Sequence, residues 1–420
     1  MTTKTKQVAV IGNGIIGIST AIWLQRAGYK VTLIDKSNQE LCASYGNGGV
    51  LASCSLVPIN SPGLLTKAPR MLFSATQPLF LKWGYLPKML PWLWQYLSRA
   101  NTQDCALTAA AIQPLVADSV EQHRALAQGT GAEKFIIPSD YLYVYDNREH
   151  FESDAFGWSL RAKHGIEWSE LEGEQFTNYD DSFAGSLDFA AKMEHHARIN
   201  DPGAYLQTLK QHVLAQGGVR IKGKYEHVVC QGNSVEAVLV DGQEIPCDIV
   251  VLATGAWSKS LAADLGVDVP LESERGYHLD LWQPNFMPKS PVMVAGSKFV
   301  ITPMQGRIRL AGIVEFGGLE AKPSAKAFNL LRNSVKRAIP ELTWSHESQW
   351  MGHRPAPADS IPIIGEISHQ PGVFLGFGHH HVGLTSGPKT GWLLAQMIAG
   401  ERLAENVNLY SPNRFVKEAH

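Results

Sequence analysis

Three glycines and one carboxylate carry the first chemical signal. In "VAVIGNGIIGISTAIWLQRAGYKVTLIDK", Gly12, Gly14 and Gly17 keep a G-x-G-x-x-G spacing, and Asp35 follows with Lys36 behind it. Gly12 permits a tight turn, Gly14 lets a pyrophosphate approach the backbone, and Gly17 lets a helix pack closely on a strand. The N–H groups at Ile15 and Ile16 open that helix and face the phosphates. Asp35 stands roughly 20 residues on, where a carboxylate binds ribose hydroxyls. Far downstream, Arg354 in "GHRPAPADSIPIIG" can hold a carboxylate through two parallel N–H bonds, although a salt bridge is an arginine's ordinary fate. Tyr277 in "ERGYHLDL" can donate to the second carboxylate oxygen. Strand side chains alternate, so only one of Tyr277 and His278 faces a site, and Tyr277 is favoured. His379, His380 and His381 run together without a cysteine or carboxylate at ligand spacing, so no metal centre is expected. His379, or else His380, is expected to reach the substrate.

These groups need a scaffold. Residues 7–11 read as a buried strand, 14–27 as a helix stopped by Gly28, and 31–34 as a second strand, which together make a βαβ unit. "ASYGNGGVLA" then supplies a small, polar turn in which Ser44, Asn47, Gly48 and Gly49 suit a second phosphate contact and Tyr45 can close a pocket. "DIVVLATGAWS" reads as a strand leaving into a turn at Ala253, Thr254, Gly255 and Trp257. "GFGHHHVGLTSGPKTG" places Gly378, Gly383, Leu384 and Thr385 ahead of a helix over 386–399. Its N-terminus suits the negative charge that grows on a reduced flavin. The βαβ unit, "ASYGNGGVLA" and "DIVVLATGAWS" together favour FAD over a nicotinamide.

Between them, "DPGAYLQTLKQHVLAQGG" reads as a helix capped by Asp201 and ended by Gly217 and Gly218, and "DGQ" at 241–243 as a hairpin turn. Alternation over 271–315 suits a sheet, and 322–339 reads as a surface helix. Residues 78–97 mix Trp83, Tyr85, Trp92, Trp94 and Tyr96 with lysines and prolines. That composition suits a helix in a bilayer interface or the core of a lid, with Pro87 and Pro91 breaking any long helix.

The 420 residues allow two domains or one discontinuous pair, and the net charge of −2 argues against a nucleic-acid binder. Five cysteines without a CxxC pair suggest reduced thiols and a cytoplasmic setting. No stretch of 18 or more uncharged apolar residues points to a membrane span.

The motifs "GNGIIGIST", "ASYGNGG", "ATGAWS", "ERGYHLDL", "ITPMQGRIRLAGIVE", "WMGHRPAPADSIPIIG" and "GFGHHHVGLTSGPKTGWLLAQMI", in this order, resemble the D-amino-acid oxidase superfamily of FAD-dependent oxidoreductases, and most its bacterial D-amino-acid dehydrogenase branch. The resemblance implies an α/β fold: a Rossmann-like FAD domain interleaved with an α+β substrate domain on an antiparallel sheet. The expected boundaries are 1–56, 196–265 and 352–420 for FAD, with 57–195 and 266–351 for substrate. It implies Val229 as a further cofactor contact. It implies oxidation of a D-amino acid, including D-proline-type amines, with hydride passing from Cα to flavin N5. A quinone or other respiratory-chain acceptor would take the electrons, and the protein would sit in the cytoplasm or peripherally on the inner membrane. An oxygen-using glycine- or sarcosine-type oxidase and a flavin-binding electron-transfer subunit remain as alternatives.

Overall fold

The computed structural model describes residues 5–36, 42–64, 79–403 and 406–416. Two large sheets share the work. The first has six strands in the order Ile363–Glu366, Val373–Phe377, Ile249–Leu252, Gln7–Ile11, Lys30–Asp35 and Val219–Lys222. All neighbours are parallel except the first pair. Val8, Ala9 and Val10 are buried on both faces, as a central parallel strand requires. Helices Ile15–Arg26 and Gly383–Ala399 pack together beside this sheet. Their contact is close because Gly391 carries no side chain: a Cβ there would stand 2.6 Å from Ser19. Asp201 caps helix Pro202–Ala215 by accepting from Ala204 N–H at 3.0 Å. The hairpin at Asp241–Gly242 has positive φ at both residues, which an Asp-Gly pair tolerates.

The second sheet has ten strands and forms the wall opposite the dinucleotide end. Most of its pairs are antiparallel, but Val292–Val294 runs parallel to Ile136–Tyr145, and Leu79–Leu81 runs parallel to Arg307–Phe316. The sheet is antiparallel in most of its pairs, as expected of the substrate domain, with these two parallel pairs added. Helix Ala325–Ala338 covers its far face with Phe328, Leu331 and Val335. Two expected domain boundaries fall inside strands of this sheet: 196 lies in Phe189–Ile199 and 352 in His346–Pro357. Strand Val50–Leu51 also joins it, pairing with Arg198 and Ala197.

Pro78 lies outside the described residues. The rest of the tryptophan-rich segment is the strand Leu79–Leu81, a 3-10 turn at Trp83–Tyr85 and one 13-residue helix, Leu86–Ser98, which the prolines do not break. Pro87 sits in the first turn, where an N–H has no helical partner, and only Pro91 removes a bond. Met89, Trp92 and Tyr96 face Ala356 and Ala358, and Trp92 Nε1 donates to Ala356 O at 2.9 Å.

Candidate functional site

One cavity of about 1260 Å³ runs between the two sheets. Its first end is the glycine turn. Gly12 has φ +105°, and a Cβ there would lie 2.4 Å from Ala253 O. Gly17 packs rather than lines: a Cβ on it would meet Gly12 O at 2.0 Å. Asn13 N–H donates to Asp35 Oδ2 at 2.9 Å, and Ile15 N–H to Ser44 Oγ at 3.0 Å. Asn13 Oδ1 is buried without a partner. Gly14, Ile15, Ile16, Asp35, Lys36, Ala253, Thr254, Gly255 and Trp257 line this end, with the Lys36 ammonium 5.5 Å over the Trp257 ring. A narrow, side-chain-free groove at a helix N-terminus, closed by a carboxylate, fits the dinucleotide half of FAD. Val229 is not part of it. Strand Tyr225–Gln231 meets the cavity only through Tyr225, with Gly223 and Lys224 before it, and Val229 pairs with Ala237 in a separate sheet.

The middle is shaped by the turn at Gly46–Gly48. Arg309 fixes it. Its guanidinium grips Asp280 at 2.7 and 2.9 Å and donates to Asn47 O at 2.9 Å. His278 Nδ1 donates to Gly46 O at 2.8 Å, and its ring stacks on Trp350 at 5.0 Å. Burial first, then the Arg309 charge, pulls the His278 pKa down to about 3, so the ring is neutral. Trp350 covers Gly46 so closely that a Cβ would stand 2.2 Å from the ring. Tyr45 does not line the cavity: its ring lies against Gly203, where a Cβ would be 2.6 Å away, and Trp350 is the ring that covers the Gly46 turn there. Asn47 and Gly48 line the cavity. Gly49 and Gly378 do not; with φ +77° and +87° they make the turns, Gly49 donating to Asn47 Oδ1 at 2.8 Å. The last helix begins at Gly383, three residues earlier than expected, and brings Gly383, Leu384 and Thr385 to the wall.

Arg354 enters the cavity from strand His346–Pro357. Its register partner is Glu274, so both side chains share a face. Arg354 Nη1 donates to Glu274 Oε1 at 2.7 Å, and the guanidinium lies over Gly276, where a Cβ would be 2.5 Å from Cζ. Glu274 also accepts from His380 Nε2. Burial opposes ionisation of Glu274, but His380 and Arg354 outweigh it and hold the carboxyl well below the usual range. His380 reaches Glu274 with φ +51°, a left-handed conformation unusual for a side-chain-bearing residue. All three histidines line the cavity, but they differ. His379 Nε2 is tied to Thr390 Oγ1 at 2.9 Å, and burial lowers its pKa to about 3. His381 Nδ1 is buried with no partner, and burial holds that ring to about 3 as well.

Tyr277 borders the cavity, but its hydroxyl is committed. It donates to Glu315 Oε2 at 2.5 Å and accepts from Ser324 N–H at 3.0 Å, with its ring edge-on to Phe328. A hydroxyl has one proton to give, so Tyr277 has none for a substrate carboxylate. Glu274 and Trp350 take the places next to Arg354 and the Gly46 turn that the sequence assigned to tyrosines. Among the described residues no His, Cys, Asp or Glu group could hold a metal, and no helix is long and apolar enough to cross a membrane.

Comparison with known proteins gives a consistent picture. The profile of the DAO family, described as FAD dependent oxidoreductase, matches residues 7–397. A D-amino-acid oxidase of Bradyrhizobium diazoefficiens is 37% identical over 418 residues, covering 98% of this chain and 99% of its own. A D-amino acid dehydrogenase of the same organism is 25% identical over 421 residues, covering 97% and 99%. A glycine oxidase from Geobacillus kaustophilus, of solved structure, has a TM-score of 0.77 at 18% identity and covers 98% of this chain and 100% of that one, a likeness of fold.

Proposed function

This chain belongs to the DAO family of FAD-dependent oxidoreductases, and we propose that it oxidises D-amino acids, D-proline-type secondary amines included, to imino or 2-oxo acids. The observation that carries the reading is Arg354. Its guanidinium enters the same cavity as the dinucleotide groove and lies over a glycine that offers no obstructing side chain. Arg354 holds the substrate carboxylate; Glu274 fixes the arginine's plane through Nη1, Nη1 and Nη2 also reach the Ile313 and Gly312 carbonyls at 3.3 and 3.4 Å, and Nε and the second Nη2 proton are left for the substrate. His379 and His381 stay neutral at working pH, in keeping with an amine that enters neutral. Bound FAD supplies the chemistry, accepting the hydride of the substrate Cα–H. The D preference follows the two relatives, a D-amino-acid oxidase and a D-amino acid dehydrogenase.

The electrons pass to a quinone or another respiratory-chain acceptor in this reading. Oxygen is the second reading, favoured by the 37% identical relative named an oxidase. Contact with a membrane surface is part of the first: Trp83, Leu90 and Trp94 are 54%, 52% and 78% exposed on and just before the helix that borders the cavity. An amine site built around Arg354 argues against a bare electron-transfer subunit. Anaerobic titration of the FAD-loaded protein with D- and L-amino acids, glycine, sarcosine and D-proline tests the reading. Bleaching of the flavin by D-isomers alone is expected, and bleaching by none of them overturns it. Recolouring in air within the turnover time identifies an oxidase. Slow recolouring, together with Trp-dependent pelleting on anionic vesicles lost in W83S/W94S, supports the membrane-linked dehydrogenase.

A further inference from the structure

A second arginine lines the same cavity. Arg161, on helix Ala155–Lys163, is only 5% exposed. Its guanidinium is sandwiched 4.6 Å from the Tyr143 ring and 4.7 Å from the Trp158 ring. Nη2 donates to Tyr143 Oη at 3.0 Å, and Nε is buried with no partner. Among the described residues the other buried arginines each meet a carboxylate: Arg275 meets Glu315, and Arg307 and Arg309 meet Asp280. Arg161 has no such ion pair; Asp154 acts on it only from longer range and is bonded to Tyr145 Oη. The Cys54 thiol beside it stays protonated, because burial pushes its pKa up to about 11.

A buried cation without a counter-ion is costly, and flanking rings offset only part of that. The cavity thus holds a positive charge at Arg161 that no carboxylate pairs directly, Asp154 acting on it only from longer range, while the charge of Arg354 is already met by Glu274. The two arginines stand toward opposite borders of one sheet: Tyr143 is on strand Ile136–Tyr145 and Arg354 on His346–Pro357, with Met293, Val300 and Gly312 lining the cavity between them.

We propose that Arg161 and Tyr143 form a second anion subsite, which takes an acidic group at the far end of the substrate and so selects D-amino acids carrying a distal carboxylate. This rests on the reading of Arg354 as the anchor of the α-carboxylate. Arg161 supplies Nε and the remaining guanidinium protons as donors, and Tyr143 steadies the guanidinium plane.

The test uses the FAD-loaded protein and straight-chain acids as competitive ligands, followed by perturbation of the flavin absorption band and by inhibition. Dicarboxylates from glutarate to suberate are paired with monocarboxylates of equal length. At one chain length the dicarboxylate is expected to bind at least about tenfold tighter, the worth of one charge-assisted contact set. Arg161→Met brings that ratio to about one, and Tyr143→Phe, which keeps the fold, lowers it several-fold. Arg161→Lys retains part of it. A parent ratio near one at every length, with Arg161→Met changing only thermal stability, overturns the subsite and leaves Arg161 a structural cation. If Arg354→Met keeps monocarboxylate binding while Arg161→Met loses it, the Arg354 anchor itself is wrong, and this inference falls with it.

Discussion

Replacing Arg354 by methionine separates a catalytic anchor from a structural counter-ion. Methionine keeps the length of the side chain and removes the charge. A carboxylate held by a guanidinium gains two charge-assisted bonds of about 1.5–3 kcal/mol each, so the loss in kcat/KM is roughly 10²–10⁴-fold. The same change leaves Glu274 with His380 alone. Breaking a buried pair typically costs about 3–5 kcal/mol, and the value here should lie at or below the low end because Arg354 is itself 22% exposed. The variant is therefore slow and also destabilised, and either effect alone would be ambiguous. The double variant Arg354→Met, Glu274→Gln resolves them. It removes both members of the pair, so the denaturant midpoint of the FAD-loaded protein recovers most of its loss while turnover does not. Dye-linked turnover, flavin content and urea unfolding on the same preparations read all three quantities. Turnover of Arg354→Met within about threefold of the parent refutes the anchor, since that is less than one such bond. So does a double variant whose turnover returns together with its stability.

Three further outcomes follow from the same geometry. Gly12→Ala places a Cβ 2.4 Å from Ala253 O at φ +105°, so the protein should lose bound FAD or fail to accumulate, and a stoichiometrically yellow variant would contradict the cradle. Arg309→Met frees the Asn47 carbonyl and leaves Asp280 to Arg307, so FAD should dissociate about tenfold more readily, measured by flavin fluorescence on dilution. Acid should destabilise the protein early. His278 and His379 have folded pKa values depressed to about 3 from an ordinary 6.5, so below pH 6.5 the unfolded chain binds protons that the folded one does not. Stability is complete above pH 6.5 and falls as the pH drops toward 3, by about 1.4 kcal/mol for each ring at pH 5.5. A urea midpoint unchanged between pH 7.5 and 5.5 would contradict their burial as neutral rings.

The dinucleotide end was legible because its constraints are local. Gly12, Gly14, Gly17 and Asp35 act within one βαβ unit, and a turn that cannot hold a Cβ announces itself as glycine. The helices after Asp201 and Gly383 were legible for the same reason, through a capping aspartate and a glycine-rich entry. Arg354 was reachable through its motif, but its setting was not. Glu274 stands only two residues before Gly276 in "ERGYHLDL", yet it becomes a partner only through the pairing of its strand with one 80 positions away.

Alternation required that one of Tyr277 and His278 face each way, but parity is fixed by neighbours that the local sequence does not contain. Arg354 pairs with Glu274 and Trp350 with His278, so the even-numbered positions of that strand take the side of the Gly46 turn. Tyr277 falls on the other parity, where Phe328 and Glu315 claim its ring and hydroxyl. The same logic explains Tyr45 and Trp350. An aromatic inside a glycine-rich turn looks like a gate, but the turn presents its glycine to the cavity, and Gly46 accepts a ring from a strand about 300 residues downstream. Arg161 was the least visible of all. Nothing in the local text "SLRAKH" singles it out, and only the packing of Tyr143 and Trp158 around it makes it the one buried arginine, among the described residues, without a direct carboxylate partner. Residues that shape the backbone declare themselves by type, whereas residues that carry charge into the cavity are defined by what stands opposite them. Which charged side chains enter this cavity is therefore set by strand register more than by motif.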